Sequence, residues 1–326
     1  MLKASFKILV FYIILPLMVV ELLLRLFNPI YFCSTVFQFR YDKDVGVTTR
    51  PNLNKSILTD HVIEALTNDI GSRNYLNKAE LNSYKKLIFC VGDSYTEGIG
   101  GLTDQSYTFY LDLLLNNKSG IYEKNFAVVN LGLGGYGSIQ SELTVLQYVR
   151  IFGRVPDAII YFVANNDCGD DASYELGFFH RFVVLGSPYY NRITIMINEL
   201  LENTQVWRRF KLLISPTVHK NFSPAESDEI CSPENLSGLK ALIKFARDNN
   251  IKLIISHTGY TGVGYDLFKS FAKENKIPFA DYKPDVISIS TANPRLPVFN
   301  SHSGGHYRSW VYYIVAGKFA EFFKDN

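Results

Sequence analysis

"AVVNLGLGGYGS", residues 127–138, decides between two α/β folds. A short apolar run leads into Gly132, Gly134 and Gly137, and these spell G-x-G-x-x-G, the fingerprint of a dinucleotide-binding turn. That reading makes two further demands. The loop should close the first strand of its unit, and an acidic residue should end the next strand to hold a ribose. Here "KLIFCVG" (86–92) already supplies an earlier strand, so the glycine loop follows the second. Asp157 stands at about the right distance. It begins its strand, "DAIIYFVA" (157–164), and so would point to the opposite edge of the sheet. The glycines then form either a bare turn or a place where backbone must come close to something else.

On either side of this stretch, strand and helix patterns alternate. "TFYLDLLLNN" (108–117) and "SIQSELTVLQYVRIF" (138–152) have helical spacing, and "IKLIISH" (251–257) is a further strand. Helices follow near 264–275 and from about Ser309 to Lys324. Such alternation predicts a parallel sheet covered on both faces, with ligands bound beyond the carboxyl ends of the strands. Residues 168–235 fit the alternation poorly and read as an insertion or cap, within which "ELLENTQVWRRFKLLI" looks helical. Residues 30–85 read as an irregular segment of turns and loops packing on the main domain of 86–326.

Composition narrows the partners. The net charge is +2, which gives no basis for nucleic-acid binding. Cys33, Cys90, Cys168 and Cys231 are scattered, with no CxxC pair, so neither a zinc site nor a disulfide framework is expected. Cys90, in an apolar strand, reads as core. Residues 1–29 differ in kind. The run from Ile8 to Phe27 is long and apolar enough to cross a bilayer. Its two charges, Glu21 and Arg25, share a helix face and can pair. Lys3 and Lys7 precede it, which predicts a retained single-pass anchor with a cytoplasmic N-terminus and an extracytoplasmic domain. The bulky "LRLFNPIYFCS" offers no small-x-small site for cleavage as a signal peptide, the rival reading.

Three strand ends carry candidate chemistry. In "VGDSYTEG", Ser94 stands where a strand turns into a helix, its hydroxyl exposed. The bland reading is that Asp93 or Ser94 merely caps that helix. The glycine loop is the second. The third is "VANNDCGD", where a side-chain amide of Asn165 or Asn166 can donate to a developing oxyanion, or simply favour a turn. A base for Ser94 is offered by His306, in "SGGHYRSW" just before the last helix. His257, ending its strand, competes with it.

Together these blocks resemble the SGNH hydrolases, the GDSL-type esterases and lipases. The matches are Gly92-Asp93-Ser94, Gly135 following Asn130, Asn166-Asp167, and His306, in the family's order over residues 86–326. "TNDIGSR", with Arg73, and the N-terminal apolar helix are similar to a membrane-anchored bacterial branch. The resemblance implies a flavodoxin-like three-layer α/β/α sandwich and no metal or organic cofactor. It implies Ser94 as nucleophile, His306 as base, and an oxyanion hole from the amides of Ser94 and Gly135 and the side chain of Asn166. Asp93 and Asp167 would support them. The substrate it implies is an acylated glycan or lipid of the envelope. One position departs: three residues before the histidine the family places an Asp, and here stands Ser303. Three outcomes stay open: an esterase, an O-acyltransferase using the same serine, and a catalytically weakened binding protein.

Overall fold

The computed structural model describes residues 10–27, 39–42, 44–58, 62–99, 101–118, 120–175, 201, 204–207, 209, 231–259, 262–300 and 305–324. The chain divides into two compact units, Met1–Phe39 with His180–Glu226, and Arg40–Phe179 with Ser227–Asn326. In the first unit a π-helical turn, Val10–Ile14, runs into an α-helix, Leu15–Phe27. These 18 residues form one helix apolar enough to span a membrane, none of it buried. At 1.5 Å per residue it is about 27 Å long, close to the thickness of a bilayer core. Glu21 accepts from Arg25 Nε at 2.7 Å, the i,i+4 pair expected, and its other oxygen accepts the Val206 N–H at 3.0 Å.

The second unit is built on four parallel strands, β1 (Lys86–Gly92), β2 (Phe126–Asn130), β3 (Ala158–Val163) and β4 (Lys252–His257), in the order β4-β3-β1-β2. A single parallel bridge, Ile255 to Phe279, extends the sheet beyond β4. Every strand is apolar on both faces. In β1, Leu87, Phe89 and Val91 enter one core cluster, while Ile88 and Cys90 enter the other. A strand with no polar face must be covered twice. The helices that do so are, in chain order, α1 (Ser94–Glu97), α2 (Tyr107–Asn116), α3 (Ser138–Phe152), α4 (Asp167–Glu175), α5 (Ser237–Asp248), α6 (Val263–Glu274), α7 (Lys283–Ala292) and α8 (Ser309–Ala320). Side chains of α3 and α5 pack on the first face and those of α2 and α8 on the second. The result is the three-layer doubly wound sandwich expected. From β1 the chain moves to one side to form β2 and then to the other to form β3. The switch point between β1 and β3 is where such sheets bind ligands.

Two features differ from the sequence reading. Within 30–85, Phe39–Asp42 pairs with Gly46–Thr49, and Asn54–Leu58 pairs antiparallel with Val62–Leu66. The turn signals there mark hairpin corners between strands too short to show a period. Tyr148 Oη, on α3, donates to the Ile70 carbonyl at 2.8 Å, tying the segment to the sandwich. The cysteines also need correction: Cys168 and Cys231 form a disulfide, closing a sequence separation of 63 residues. Two cysteines so far apart in sequence give no spacing signal, and only the packing of α4 beside the entry to α5 brings them together. Cys90 is free and buried in the sheet. Most of the insertion, Ser303, and the other histidines His61, His180, His219 and His302 lie outside the described residues.

Candidate active site

Ser94 is positioned by its neighbours on both sides. Gly92 adopts φ +143°, and a Cβ there would lie 2.6 Å from the Phe162 carbonyl oxygen and from Thr96 Oγ1. Only glycine lets β1 turn this tightly beside β3. Asp93 then caps α1, accepting the Tyr95 N–H at 2.9 Å. The capping reading thus holds for Asp93, which leaves the Ser94 hydroxyl for other work. That hydroxyl lies 2.6 Å from His306 Nε2 and 3.2 Å from Asp93 Oδ2.

His306 comes from 212 residues away in sequence and is held by the residues around it. The Tyr95 ring lies against the imidazole with centroids 4.9 Å apart, and Tyr95 Oη donates to the Gly305 carbonyl at 3.1 Å. The His306 carbonyl accepts the Asn300 N–H at 2.8 Å. Tyr307 is buried; its hydroxyl donates to the Thr258 carbonyl and meets Tyr282 Oη at 2.8 Å. His257, the competing base, is fully buried, stacks on Phe268 and is pushed down to about 4 by burial. Its Nδ1 accepts the Gly259 N–H at 3.0 Å. It is therefore a neutral core histidine, and Ser94 meets His306 instead.

The glycine loop lies against α1. Leu131 and Leu133 donate to the Cys90 and Gly92 carbonyls at 2.8 and 3.2 Å, so the loop runs beside the end of β1. A Cβ on Gly132 would lie 2.4 Å from the Glu97 nitrogen and 2.5 Å from Thr96 Cβ; one on Gly134 would lie 3.5 Å from Ser94 Cβ. One on Gly137 would lie 2.3 Å from Asp171 Oδ1. Each glycine of the G-x-G-x-x-G thus lets backbone approach α1 or α4, which explains the pattern without a dinucleotide. Gly135 takes φ +83°, and its N–H has no partner among the described residues. Asp157 accepts the Leu87 N–H at 2.8 Å at the start of β1, the far edge of the sheet.

Asn166 and Asp167 follow β3. Asn166 is exposed and donates through Nδ2 to Asp170 at 2.6 Å. The same side chain also hydrogen-bonds the Asp93 carboxylate, so Asn166 links Asp170 to Asp93. Asp167 is fully buried and accepts from the Tyr161 hydroxyl. Burial, and then the neighbouring Asp93, drive its carboxyl well above the usual range. Burial likewise raises Asp93 to about 6, restrained by hydrogen bonds led by that from Tyr95 N–H. Two carboxyls this close and this buried do not both ionise readily.

Three residues escaped the sequence reading. Tyr95 gave no signal beyond following the serine. Glu97 is buried and accepts the Gly134 N–H at 2.7 Å. Asp171 caps α3 from a distant part of the chain, accepting from Ser138 Oγ and from the Ile139 N–H at 2.9 Å.

No family model matches the chain, and no curated protein does. Solved structures do. One is a protein assigned to the lipolytic G-D-S-L family from Desulfitobacterium hafniense DCB-2, 19% identical, covering 72% of this chain and 98% of its own, with TM-score 0.39. A catalytic mutant of an acetylxylan esterase from Geobacillus stearothermophilus is 14% identical over 74% of this chain and 95% of its own, TM-score 0.41. The acetyl xylan esterase AlAXEase is 14% identical over 72% and 98%, TM-score 0.43.

Proposed function

We propose that this chain is a membrane-tethered serine esterase of the SGNH type, acting on O-acyl groups of envelope glycans or lipids. The observation that carries the reading is the 2.6 Å hydrogen bond between Ser94 Oγ and His306 Nε2, at the switch point of a doubly wound sheet. A nucleophile within reach of its base is the signature of covalent catalysis. His306 takes the Ser94 proton as Oγ attacks the acyl carbonyl. The oxyanion is held by the N–H groups of Ser94 and Gly135 and by Asn166 Nδ2. His306 then protonates the leaving alcohol, and water repeats the sequence in reverse to free the acid and Ser94. With Ser303 in the usual Asp position, the Tyr95 ring and the Gly305 bond support His306 in the orientation the reaction needs.

The extracytoplasmic side is supported by Lys3 and Lys7 before the apolar helix and by the Cys168–Cys231 disulfide, since such bonds persist in oxidising compartments. The test is fluorophosphonate labelling of the full chain in detergent, with Ser94→Ala and His306→Ala beside it. Labelling lost in both variants is expected, and labelling that survives Ser94→Ala sinks the proposal. If labelled enzyme gives acyl glycan rather than free acid when glycan acceptors are added, the same serine serves an O-acyltransferase. Unlabelled, folded wild type that still binds acylated glycan would mean a binding protein.

A further inference from the structure

Two buried charges beside the site are used by none of the steps above. Glu97 is 4% exposed and Arg73 is 6% exposed. Charges buried to this degree are retained only when paired or hydrogen-bonded. Arg73 is held on several sides. Its Nη1 donates to the carbonyls of Glu97 at 2.8 Å and Gly98 at 3.4 Å, its Nη2 to Gly101 at 2.9 Å, and its Nε to Thr103 Oγ1 at 3.3 Å. Its backbone N–H donates to the Asn130 carbonyl at 3.2 Å. Arg73 therefore clamps the end of α1 to the end of β2, where the glycine loop begins. The Glu97 carboxylate reaches the loop itself, accepting the Gly134 N–H at 2.7 Å.

We propose that Glu97 and Arg73 are positioning residues for the oxyanion loop. Glu97 fixes the Gly134 peptide so that the next N–H, that of Gly135, is presented beside Ser94, and Arg73 supplies the countercharge. The inference rests on the esterase reading. Its logic is electrostatic. A carboxylate makes a stronger bond to an N–H than a neutral acceptor does. Left alone next to a forming oxyanion, that same carboxylate would repel it. Burial pushes the Glu97 carboxyl above its ordinary range, and the Arg73 cation and then the Gly134 N–H draw it back toward the ionised form. The pair thus gives a firm anchor without a net negative charge at the reacting centre.

The test uses the full chain in detergent and two readouts. The first is hydrogen exchange of peptides spanning the loop, with β1 peptides as an internal reference. The second is kcat and KM on a chromogenic acetyl ester. Glu97→Leu fills the volume without an acceptor. It is expected to speed loop exchange by at least about tenfold and to lower kcat by roughly 10–100-fold at little-changed KM, because a misplacement near 1 Å costs about that much. Glu97→Gln keeps an acceptor and is expected to restore loop protection and most of kcat. Arg73→Gln strands the carboxylate, so the double variant Arg73→Gln/Glu97→Gln is expected to be faster than Arg73→Gln alone. Wild-type loop exchange in Glu97→Leu, or a double variant no faster than Arg73→Gln, overturns the proposal. Should Glu97→Leu not fold, the Arg73 comparison decides. Wild type that neither labels nor hydrolyses overturns the esterase reading instead, and loop exchange still decides the positioning.

Discussion

Placing one methyl group at two neighbouring glycines separates packing from chemistry. In Gly132→Ala the new Cβ would sit 2.4 Å from the Glu97 nitrogen, 2.5 Å from Thr96 Cβ and 2.6 Å from the Thr96 carbonyl carbon. Relief to ordinary contact at 3.4 Å requires a shift of about 1 Å, and two of the three opposing atoms are backbone of α1. Overpacking of this kind costs about 1–3 kcal/mol, with rigid surroundings at the upper end, so about 3 kcal/mol is expected here. In Gly134→Ala the nearest atoms are Ile99 Cδ1 at 3.1 Å and Glu97 Oε2 at 3.3 Å, both ends of side chains. A few tenths of an ångström suffice, and the reduced entropy of the unfolded chain offsets about 0.4–1 kcal/mol of the cost. Net destabilisation below about 1 kcal/mol follows. Urea unfolding of both variants checks the difference. Fluorophosphonate labelling then reports on the serine, because the shift forced by the methyl group added at Gly132 is transmitted through α1 to Ser94 and is expected to slow labelling by roughly 100-fold. Equal destabilisation by the two variants, or fast labelling of Gly132→Ala, would refute the close-approach account of the loop.

Other expectations follow from the same geometry. Asn166→Ala is expected to lower kcat by roughly 10²–10³-fold with KM little changed, the usual cost of one oxyanion donor; steady-state kinetics with unchanged kcat would remove Asn166 from the hole. Asp93 is raised from 3.8 to about 6, so its contribution to stability is present below about pH 4 and lost as pH rises through about 6. Asp93→Asn keeps the cap acceptor and is expected to be more stable than wild type at pH 7 and no more stable at pH 4, measured by urea titration across the range. Reduction of Cys168–Cys231, which closes a separation of 63 residues, is expected to cost about 4 kcal/mol in the chain-entropy limit; unfolding midpoints that match with and without reductant would count against it.

Much of the fold was legible because it rests on local pattern. The four central strands are continuous apolar runs, and α3 begins and ends at the residues its periodicity marks, Ser138 and Phe152. Strand ends in a doubly wound sheet lie on one edge, so the pattern alone places Ser94, the glycine loop and Asn166 together. His306 was legible only through its place before the last helix and the resemblance that singled it out. Hairpins such as Asn54–Leu58 with Val62–Leu66 were hidden, since a five-residue strand shows too few alternations to separate from a loop.

Which residue types stand at the carboxyl ends of the strands is written in the chain, as is the apolar helix behind Lys3 and Lys7. Folding alone brings His306 rather than His257 to Ser94, joins Cys168 to Cys231 and sets the Glu97 carboxylate on the Gly134 N–H. Packing likewise explains why three glycines stand at G-x-G-x-x-G spacing: each faces backbone or side-chain atoms of α1 or α4 at distances that leave no room for a Cβ or little to spare. The difference is one of range. Periodicity and capping act over a few residues and are written in the local sequence. A hydrogen bond between residues 94 and 306, or the packing of a loop on a helix turn, depends on where distant segments arrive once the sheet has formed.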